Sequence, residues 1–599
     1  MKGKPRLIFI IFLSSILIWF INLIWYKPFF IELYFDRLFV EYGFRHPEML
    51  TSAHVLENYG INAHNRELNN ISLEYRQQTF EEITKAFEML RSYKRNKLDK
   101  EEQLSHDVLD FYFEKIIFSQ QFFQHEIPFD HLEGIQVALP VFLMEHQTVK
   151  NLQDAEHYLE RVSKISDKVY QYIQAIMLKD EGDKPPKYVF EYMIDQIDCF
   201  LTAEITQNLV YKDFKKKIEN ANLINPDAKS ELLYNIKLEI GDNVYPAFKE
   251  LHKKLEIEKE YAPDQAGIWQ YNDGDAYYYL LLNESLTIDT SMYDLEDGSL
   301  AEINRLHKKI AKKLNVDQVQ VKEELQKLSL KSKEPNSNDA SKFQILKEHA
   351  KNILLENSGL ADAENLAIKQ IMPFSANYRL TEYIPASLDG HRSATLLVSD
   401  YLFGFLPSHM LKGLVIAEVS PGRHFITEKI RSAQKLPSIR KVIDFNVYTE
   451  GWKYYVLENA TRLGMINSDL EEVGCLQWQL LYASLSVADL RIHQNMFTRQ
   501  EAIDFIMAET GLPRPLVLTY VDKAIVKPAK APAYLVGFKA FTDLNHSLFS
   551  DKADGQMQIF MKNASRMASY GKVPVKFFPL LDPENAVENN SILAGSSAR

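Results

Sequence analysis

Apolar residues recur every three or four positions along most of the chain. Clear examples are FEEITKAFEMLRSYKRN (residues 80–96) and DAEHYLERVSKISDKVYQYIQAIM (residues 154–177). This period matches helices with one buried face, and neither long alternating runs nor a regular internal repeat stands out. We therefore predict a mainly α fold in which residues 31–582 form one large helical domain. An arrangement of two lobes around a central cleft stays open.

The N-terminal segment departs from this pattern because residues 7–26 contain no charged side chain, whereas Lys2, Lys4 and Arg6 precede them. Twenty helical residues span about 30 Å, the thickness of a bilayer core. The bulky exit sequence IWYKPFF differs from the small residues of a signal-peptidase site, which favours an uncleaved transmembrane anchor over a cleaved signal peptide. The positive-inside rule then predicts residues 1–6 in the cytoplasm and the main domain on the periplasmic or extracellular side.

Two further segments are polar. Residues 326–343, QKLSLKSKEPNSNDASKF, combine lysines with Pro, Asn and Ser, which predicts an exposed linker or insertion. Residues 583–599 predict a disordered tail.

Charge and cysteine content exclude some classes of protein. The net charge of -12 argues against a nucleic-acid partner, which requires a basic surface. Cys199 and Cys475 are the two cysteines, too few for a disulfide framework, and whether they pair stays open.

Candidate chemistry is concentrated in GLVIAEVSPGRHF (residues 413–425). An acidic residue, Glu418, follows an apolar run, and His424 follows a Pro-Gly break. Metal ligands six residues apart converge only if the helix breaks between them, and Pro421 with Gly422 predicts such a break. The alternative is an ordinary helix end with an exposed glutamate.

Three other stretches carry candidate site residues, each with a structural alternative. Glu450 in YTEGW is a candidate ligand on a second helix, or an acidic residue in a capped first turn. Asp489 and His493, four apart on one helix face, are candidates for orienting a ligand or substrate, or an ordinary hydrogen-bonded pair. HEIPFDH offers His125, Glu126 and His131, but no carboxylate partner stands at a suggestive distance, so we predict no metal there.

Together these stretches resemble a known family. The chain is similar, from about residue 35 to about residue 544, to the bacterial family named domain of unknown function 885, whose members look like helical zinc metallopeptidases. The matching segments, in order, are FDRLFVEYGFRHPEMLTSAH, EGIQVALPVFL, DAEHYLERV, GIWQYNDGDAYYYLLLNESLTID, EYIPASLDGHR, YTEGW, ADLRIH, FTRQEAIDFI and KPAKAPAYLVG.

The departures from the family fall on its metal motif. The family's HExxPGHH stretch has Ala417 and Arg423 here in place of two histidines, while Glu418 at the general-base position, His424 and Glu450 are retained. The resemblance further implies that the residues lining the substrate cleft are Tyr383, Asp389, Asp489, His493, Lys530 and Tyr534.

These substitutions have a physical consequence, because neither alanine nor a protonated guanidinium ligates a metal. Glu418 and Glu450 would face each other without a cation, and Arg423 would neutralise them. We therefore expect an inactive, membrane-anchored metallopeptidase-like protein that binds a peptide or envelope-protein partner and needs no cofactor. The alternatives are an active peptidase holding zinc with a non-standard ligand set, and a structural envelope protein.

Overall fold

The architecture follows from helices that bury one face or, at the centre, all faces. The computed structural model describes residues 14, 17–19, 21–125, 129–179, 183–221, 224–331, 339–356, 366–548 and 557–581. Within these residues the chain is mainly helical and forms a single large domain, which confirms the predicted fold class.

The first half is built from helices α1 to α15. In chain order they are α1 (Ile31–Arg45), α2 (Pro47–Ala53), α3 (Leu73–Arg91), α4 (Lys100–Ser119), α5 (Ile135–Glu145), α6 (Leu152–Ser163), α7 (Ile165–Met177), α8 (Lys187–Leu201), α9 (Leu209–Asn220), α10 (Pro226–Glu239), α11 (Tyr245–Lys259), α12 (Gly274–Leu286), α13 (Met292–Leu314), α14 (Val321–Lys331) and α15 (Asp339–Glu356). A π-helical turn, Ile240–Val244, joins α10 to α11.

The second half begins with a small sheet and continues with helices. Its elements are β1 (Leu366–Gln370), β2 (Thr381–Ile384), β3 (Ala394–Val398), α16 (Asp400–Phe403), α17 (Leu411–Glu418), α18 (Arg423–Ser432), α19 (Ser438–Val442), α20 (Asn446–Asn459), α21 (Asp469–His493), α22 (Arg499–Thr510), α23 (Arg514–Val526), α24 (Ala533–Leu548) and α25 (Met557–Ser569).

The three strands form a mixed sheet in the order β1-β3-β2. Strands β1 and β3 are parallel, with Leu366 opposite Ala394, whereas β2 is antiparallel to β3, with Thr381 opposite Val398. Every residue of β3 is buried, as expected for a central strand. The sheet fixes the loop between β2 and β3, which carries Asp389.

Two main apolar cores lie within the domain. One is formed by residues between 129 and 255, and the other combines residues 31–122 with residues 266–581. Helices α20 and α21 are buried along most of their length, and they place Glu450, Asp489 and His493 inside the second core. A helix that is apolar on all sides is buried at the centre of a large protein.

Most of the predicted anchor, residues 7–26, lies outside the described residues, since only 14, 17–19 and 21–26 are described there. Among the described helices, none is long and apolar enough to cross a membrane. The predicted tail, 583–599, also lies outside the described residues.

The segment predicted as an exposed linker or insertion, residues 326–343, is helical where it is described. Residues 326–331 belong to α14 and residues 339–343 to α15, while residues 332–338 lie outside the described range. Ser329 and Lys342 are buried, and the Lys342 ammonium donates to the carbonyl of Leu406 at 3.3 Å. The described parts of this segment therefore form helix ends. The two cysteines, Cys199 and Cys475, are both free thiols.

Candidate functional site

The stretch around Glu418 is a sharp reversal between two helices. Helix α17 ends at Glu418 and α18 begins at Arg423, with a cis peptide between Ser420 and Pro421. A Cβ at Gly422 would meet the Ala417 carbonyl oxygen at 2.0 Å, so only glycine permits this close approach. The reversal brings the side chain at position 423 back beside Glu418.

A network of four charged side chains fills this position. The Arg423 guanidinium donates to Glu450 Oε1 at 2.5 Å, and its Nε lies 3.6 Å from Glu418 Oε2. The Lys453 ammonium lies 2.6 Å from Glu450 Oε2 and 3.1 Å from Glu418 Oε1. Each carboxylate oxygen therefore faces a cation, and the ion pair that the sequence predicted for Arg423 is present.

Lys453 is the member of this network that sequence reasoning missed. It lies three residues after Glu450 on α20, a spacing that places both side chains on one helix face. That spacing was a signal for its contact with Glu450. Its second contact, with Glu418 on α17, depends on how the two helices pack.

The cations determine the charge state of the carboxylates. Burial alone would raise the pKa of Glu450, but Lys453 and Arg423 lower it well below its ordinary value. The pKa of Glu418 is lowered against the effect of burial by the same two cations. Conversely, the carboxylates of Glu450 and Glu418 raise the pKa of the Arg423 guanidinium despite its burial. Glu418, Glu450 and Arg423 are therefore charged at neutral pH.

Aromatic rings and a further lysine border the network. The rings of Tyr482 and Tyr534 stack with centroids 4.0 Å apart, and the Lys453 ammonium lies 5.4 Å from the Tyr534 centroid. Lys523 acts electrostatically on Glu450 from an exposed position. Since 20% of the Arg423 side chain is accessible, compared with 5% for Lys453, solvent reaches the network from the arginine side.

His424, the retained histidine, is directed to a different partner. Its side chain is buried, and Nδ1 lies 3.0 Å from the Tyr383 hydroxyl. Burial, together with the positive charge of Arg431, lowers its pKa to about 4, so the imidazole is neutral. The structure thus brings together Glu418, Arg423 and Glu450, and places His424 with Tyr383.

Asp489 and His493 do not line a cleft, in contrast to the expectation from the sequence. Asp489 is fully buried and accepts hydrogen bonds from the Tyr278 hydroxyl at 2.7 Å and from the amide nitrogen of Ala529 at 3.0 Å. His493, also fully buried, contacts the Ile268 amide nitrogen and the Ala524 carbonyl. Because both side chains are fully buried and their polar atoms contact neighbouring backbone, they tie α21 to adjacent segments.

The remaining predicted cleft residues are dispersed. Lys530 is exposed and borders a cavity of about 360 Å³ that also includes Lys527 and His125 but neither Glu418 nor Glu450. Tyr534 lies beside Glu450, as described above. Asp389 lies in the loop between β2 and β3, where it contacts His54 and His391.

The histidines of HEIPFDH lie in separate surroundings. His125 stacks on Tyr271, and His131 packs edge-on against Tyr192 and Tyr378. Burial lowers the pKa of His131 to about 4. Glu126 lies outside the described residues.

A different group of residues has the geometry of a metal site. Potential ligand atoms of three side chains converge at one point: those of His54, Asp389 and His391. Among the histidine, cysteine and carboxylate side chains of the described residues, this is the group of three that lies close enough to hold a metal ion. Sequence reasoning placed Asp389 in the cleft but missed both histidines.

The fold and the site define a large helical protein with a buried ion network between helices α17 and α20. The chain matches the family described as "Bacterial protein of unknown function (DUF885)" over residues 47–576, and it belongs to that family. No curated protein matches it.

Two solved structures share the fold. A putative lipoprotein from Colwellia psychrerythraea is 19% identical with a TM-score of 0.81, and the match covers 93% of this chain and 99% of that one. A putative lipoprotein of unknown function from Shewanella oneidensis is 13% identical with a TM-score of 0.64, covering 91% of this chain and 98% of that one.

Proposed function

We propose that this protein is a catalytically inactive, membrane-anchored member of its family whose helical body binds a peptide or protein partner. The observation that carries the proposal is the network at the helix reversal. Two cations there contact both carboxylates that the resemblance assigns to metal chemistry.

The residues at the reversal do not fit a zinc ion. A catalytic zinc takes three protein ligands and one open position. Glu450 is the one expected ligand near this point, because Ala417 has no donor atom and Arg423 cannot release a proton to become one. Two unit charges 4 Å apart interact with roughly 4 kcal/mol at an effective dielectric constant of about 20. A dication placed beside Arg423 and Lys453 would be repelled by both, which offsets the attraction of Glu418 and Glu450.

The network is suited to binding instead. Arg423 and Lys453 together neutralise Glu418 and Glu450, and the exposed Lys523 adds one positive charge beside them. The stacked tyrosines, Tyr482 and Tyr534, form a buried apolar border behind these charges. A partner that presents a carboxylate, such as the C-terminus of a peptide, would match this excess of positive charge.

The proposed location is the cell envelope. Both structural neighbours are described as putative lipoproteins, and the uncharged segment 7–26 of this chain is long enough to serve as an anchor. Anchoring by this segment would place the helical domain on the outer side of the membrane.

Metal loading tests the proposed inactivity. The full chain would be purified in detergent, without an affinity tag, in a His391→Ala background that removes the separate histidine cluster. We expect no stoichiometric zinc in this protein and about one zinc per chain after Ala417→His with Arg423→His. The matched control is Ala417→His alone, which should stay empty because the guanidinium remains. Stoichiometric zinc with peptidase activity in the His391→Ala protein would contradict the proposal.

Binding is tested with peptides that differ in one charge. We expect peptides with a free C-terminal carboxylate to bind the full chain more tightly than the same peptides with an amidated C-terminus, as measured by fluorescence anisotropy. Arg423→Gln should reduce that difference. If free and amidated peptides both fail to bind, the structural envelope role is the better explanation.

A further inference from the structure

Three potential metal ligands converge from segments that are far apart in the sequence. The Nδ1 atoms of His54 and His391 lie 2.6 Å and 2.7 Å from the same oxygen, Oδ2 of Asp389. All three ligand atoms lie within 4.8 Å of one another. His54 follows the end of α2, whereas Asp389 and His391 belong to the loop between β2 and β3.

The carboxylate of Asp389 is held so that one oxygen remains for the histidines. Its Oδ1 accepts from the Ser387 hydroxyl at 2.6 Å and from the His391 amide nitrogen at 3.0 Å. Its Oδ2 faces the two imidazoles and the Asn58 amide group, which lies at 3.2 Å. Hydrogen bonds of this kind orient a metal-binding carboxylate and are part of most metal sites.

The backbone holds the two segments together. The Leu388 amide donates to the Ala53 carbonyl at 2.8 Å, and the Arg392 guanidinium donates to the Ser52 carbonyl at 3.1 Å. Gly390 adopts a positive φ of 78°, which lets the loop turn back so that His391 returns to Asp389. The ligands are therefore positioned by the fold and not by chance contact of mobile side chains.

Solvent can reach this cluster from one side. His54 and His391 border a polar cavity of about 220 Å³, together with Asn58, Asn62 and Asp154. The side chain of His391 is 52% exposed, while those of His54 and Asp389 are 14% and 8% exposed. The cluster thus has two nearly buried ligands, one movable ligand and room for water.

We propose that His54, Asp389 and His391 form a binding site for a divalent transition-metal ion, with Zn²⁺ as the ion that fits best. Two imidazoles and one carboxylate are the ligand set of many zinc sites, and a water molecule from the polar cavity would complete four-fold coordination. Bond lengths of about 2.0–2.1 Å place neighbouring donor atoms about 3.3 Å apart in a tetrahedron. Both Nδ1–Oδ2 distances, 2.6 Å and 2.7 Å, therefore need to lengthen by less than about 1 Å. The exposure of His391 permits its part of this adjustment, and the remainder falls on His54 and Asp389.

Proton balance is simple for this site. In the absence of metal, each Nδ1–H group donates to the carboxylate, which is an acceptor only. On binding, the ion takes the Nδ1 lone pairs, and the proton of each ring moves to Nε2 through solvent. The site is independent of Glu418 and Glu450, so its test does not depend on the proposed function.

Zinc binding to the full chain, purified in detergent without an affinity tag, tests the inference by competition with a chromophoric chelator. We expect one Zn²⁺ per chain. Asp389→Asn keeps the oxygen that accepts hydrogen bonds from Ser387 and His391 but removes the negative charge that binds the metal. Changes to residues that only support metal ligands weaken binding by roughly 10- to 100-fold, and we expect a larger loss here. His391→Ala should do the same. Cobalt(II) should give the visible absorption of a tetrahedral site in the unmodified protein alone.

The matched control is His252→Ala, which removes a histidine that pairs with one carboxylate, Asp198, at 3.1 Å. This variant should bind zinc as the unmodified protein does. Circular dichroism checks that each variant is folded, and zinc should raise the melting temperature of the unmodified protein but not of Asp389→Asn. The inference is wrong if the unmodified chain binds no zinc, or if folded Asp389→Asn and His391→Ala proteins both bind zinc unchanged.

Discussion

The ion network at the helix reversal predicts a large effect of one substitution, Arg423→Met. Methionine has a similar length, so the change removes the charge and the donors while filling much of the same volume. Glu418 and Glu450 would then share Lys453 as their single contacting cation. We expect a clear loss of stability, because a buried carboxylate that loses its partner keeps the cost of desolvation.

The size of the effect depends on how deeply the ion pair is buried and on which contacts the carboxylates keep after the substitution. Removing one partner of a buried ion pair costs about 3–5 kcal/mol. The Arg423 side chain is 20% accessible, and Lys453 still contacts both carboxylates, so the lower end of about 3 kcal/mol is expected. In the double variant Arg423→Met with Glu450→Gln, the unpaired charge is removed as well. The two single effects should therefore exceed the combined effect by about 1–3 kcal/mol.

Urea unfolding of the full chain, followed by circular dichroism, measures these free energies. Lys435→Met is the matched control, since Lys435 pairs with Glu101 at the surface, where the side chains are 80% and 57% exposed. Its cost should stay below about 1 kcal/mol. The reasoning is refuted if Arg423→Met is no more destabilising than Lys435→Met, or if the single effects of Arg423→Met and Glu450→Gln simply add.

Three further predictions concern the same domain and its anchor. The folded-state pKa of Glu450 lies below its ordinary value of 4.5, so its stabilising contribution is complete above about pH 4.5 and is lost as the pH falls further. Melting temperatures between pH 7 and pH 3 should therefore fall less steeply for Glu450→Gln. Gly422→Ala should prevent the reversal, because a Cβ would lie 2.0 Å from the Ala417 carbonyl oxygen, and its melting temperature should drop far more than that of Gly298→Ala, where no atom lies within 4 Å. If residues 7–26 are an uncleaved anchor, N-terminal sequencing of the native protein should find them, whereas a mature start near residue 30 would show cleavage.

The helical fold was predictable because its signals are local. Apolar spacing of three and four residues gave the fold class, and Pro421 with Gly422 gave the break between α17 and α18. Helix α4 begins where Asp99 and Glu102 form a capping box, and such pairs are visible in a sequence. The polar composition of residues 326–343 did not predict that Lys342 is buried. A helix end can bury a lysine when nearby carbonyl oxygens accept hydrogen bonds from its ammonium group, as the Leu406 carbonyl does for Lys342.

The sequence predicted contacts in the candidate site only where they follow from the need to neutralise buried charges. Glu418 and Glu450 needed a cation once the histidines were replaced, and Arg423 is the cation nearest to Glu418 in the sequence. The pair Asp489 and His493 shows the limit of this approach. Spacing placed them on one helix, but it could not show that α21 is buried along most of its length and that these side chains contact the backbone of neighbouring segments.

The histidine cluster combines one contact that the local sequence predicts with another that depends on the tertiary structure. Asp389 and His391 are separated by one glycine, so their proximity follows from a turn that the sequence itself specifies. His54 lies 335 residues before Asp389, and no spacing rule connects them. Their contact exists because the loop between β2 and β3 bonds to the end of α2, which is a property of the assembled domain. A metal at this point would therefore bind only after the two segments have docked, so its binding free energy would stabilise the assembled domain over states in which they are apart.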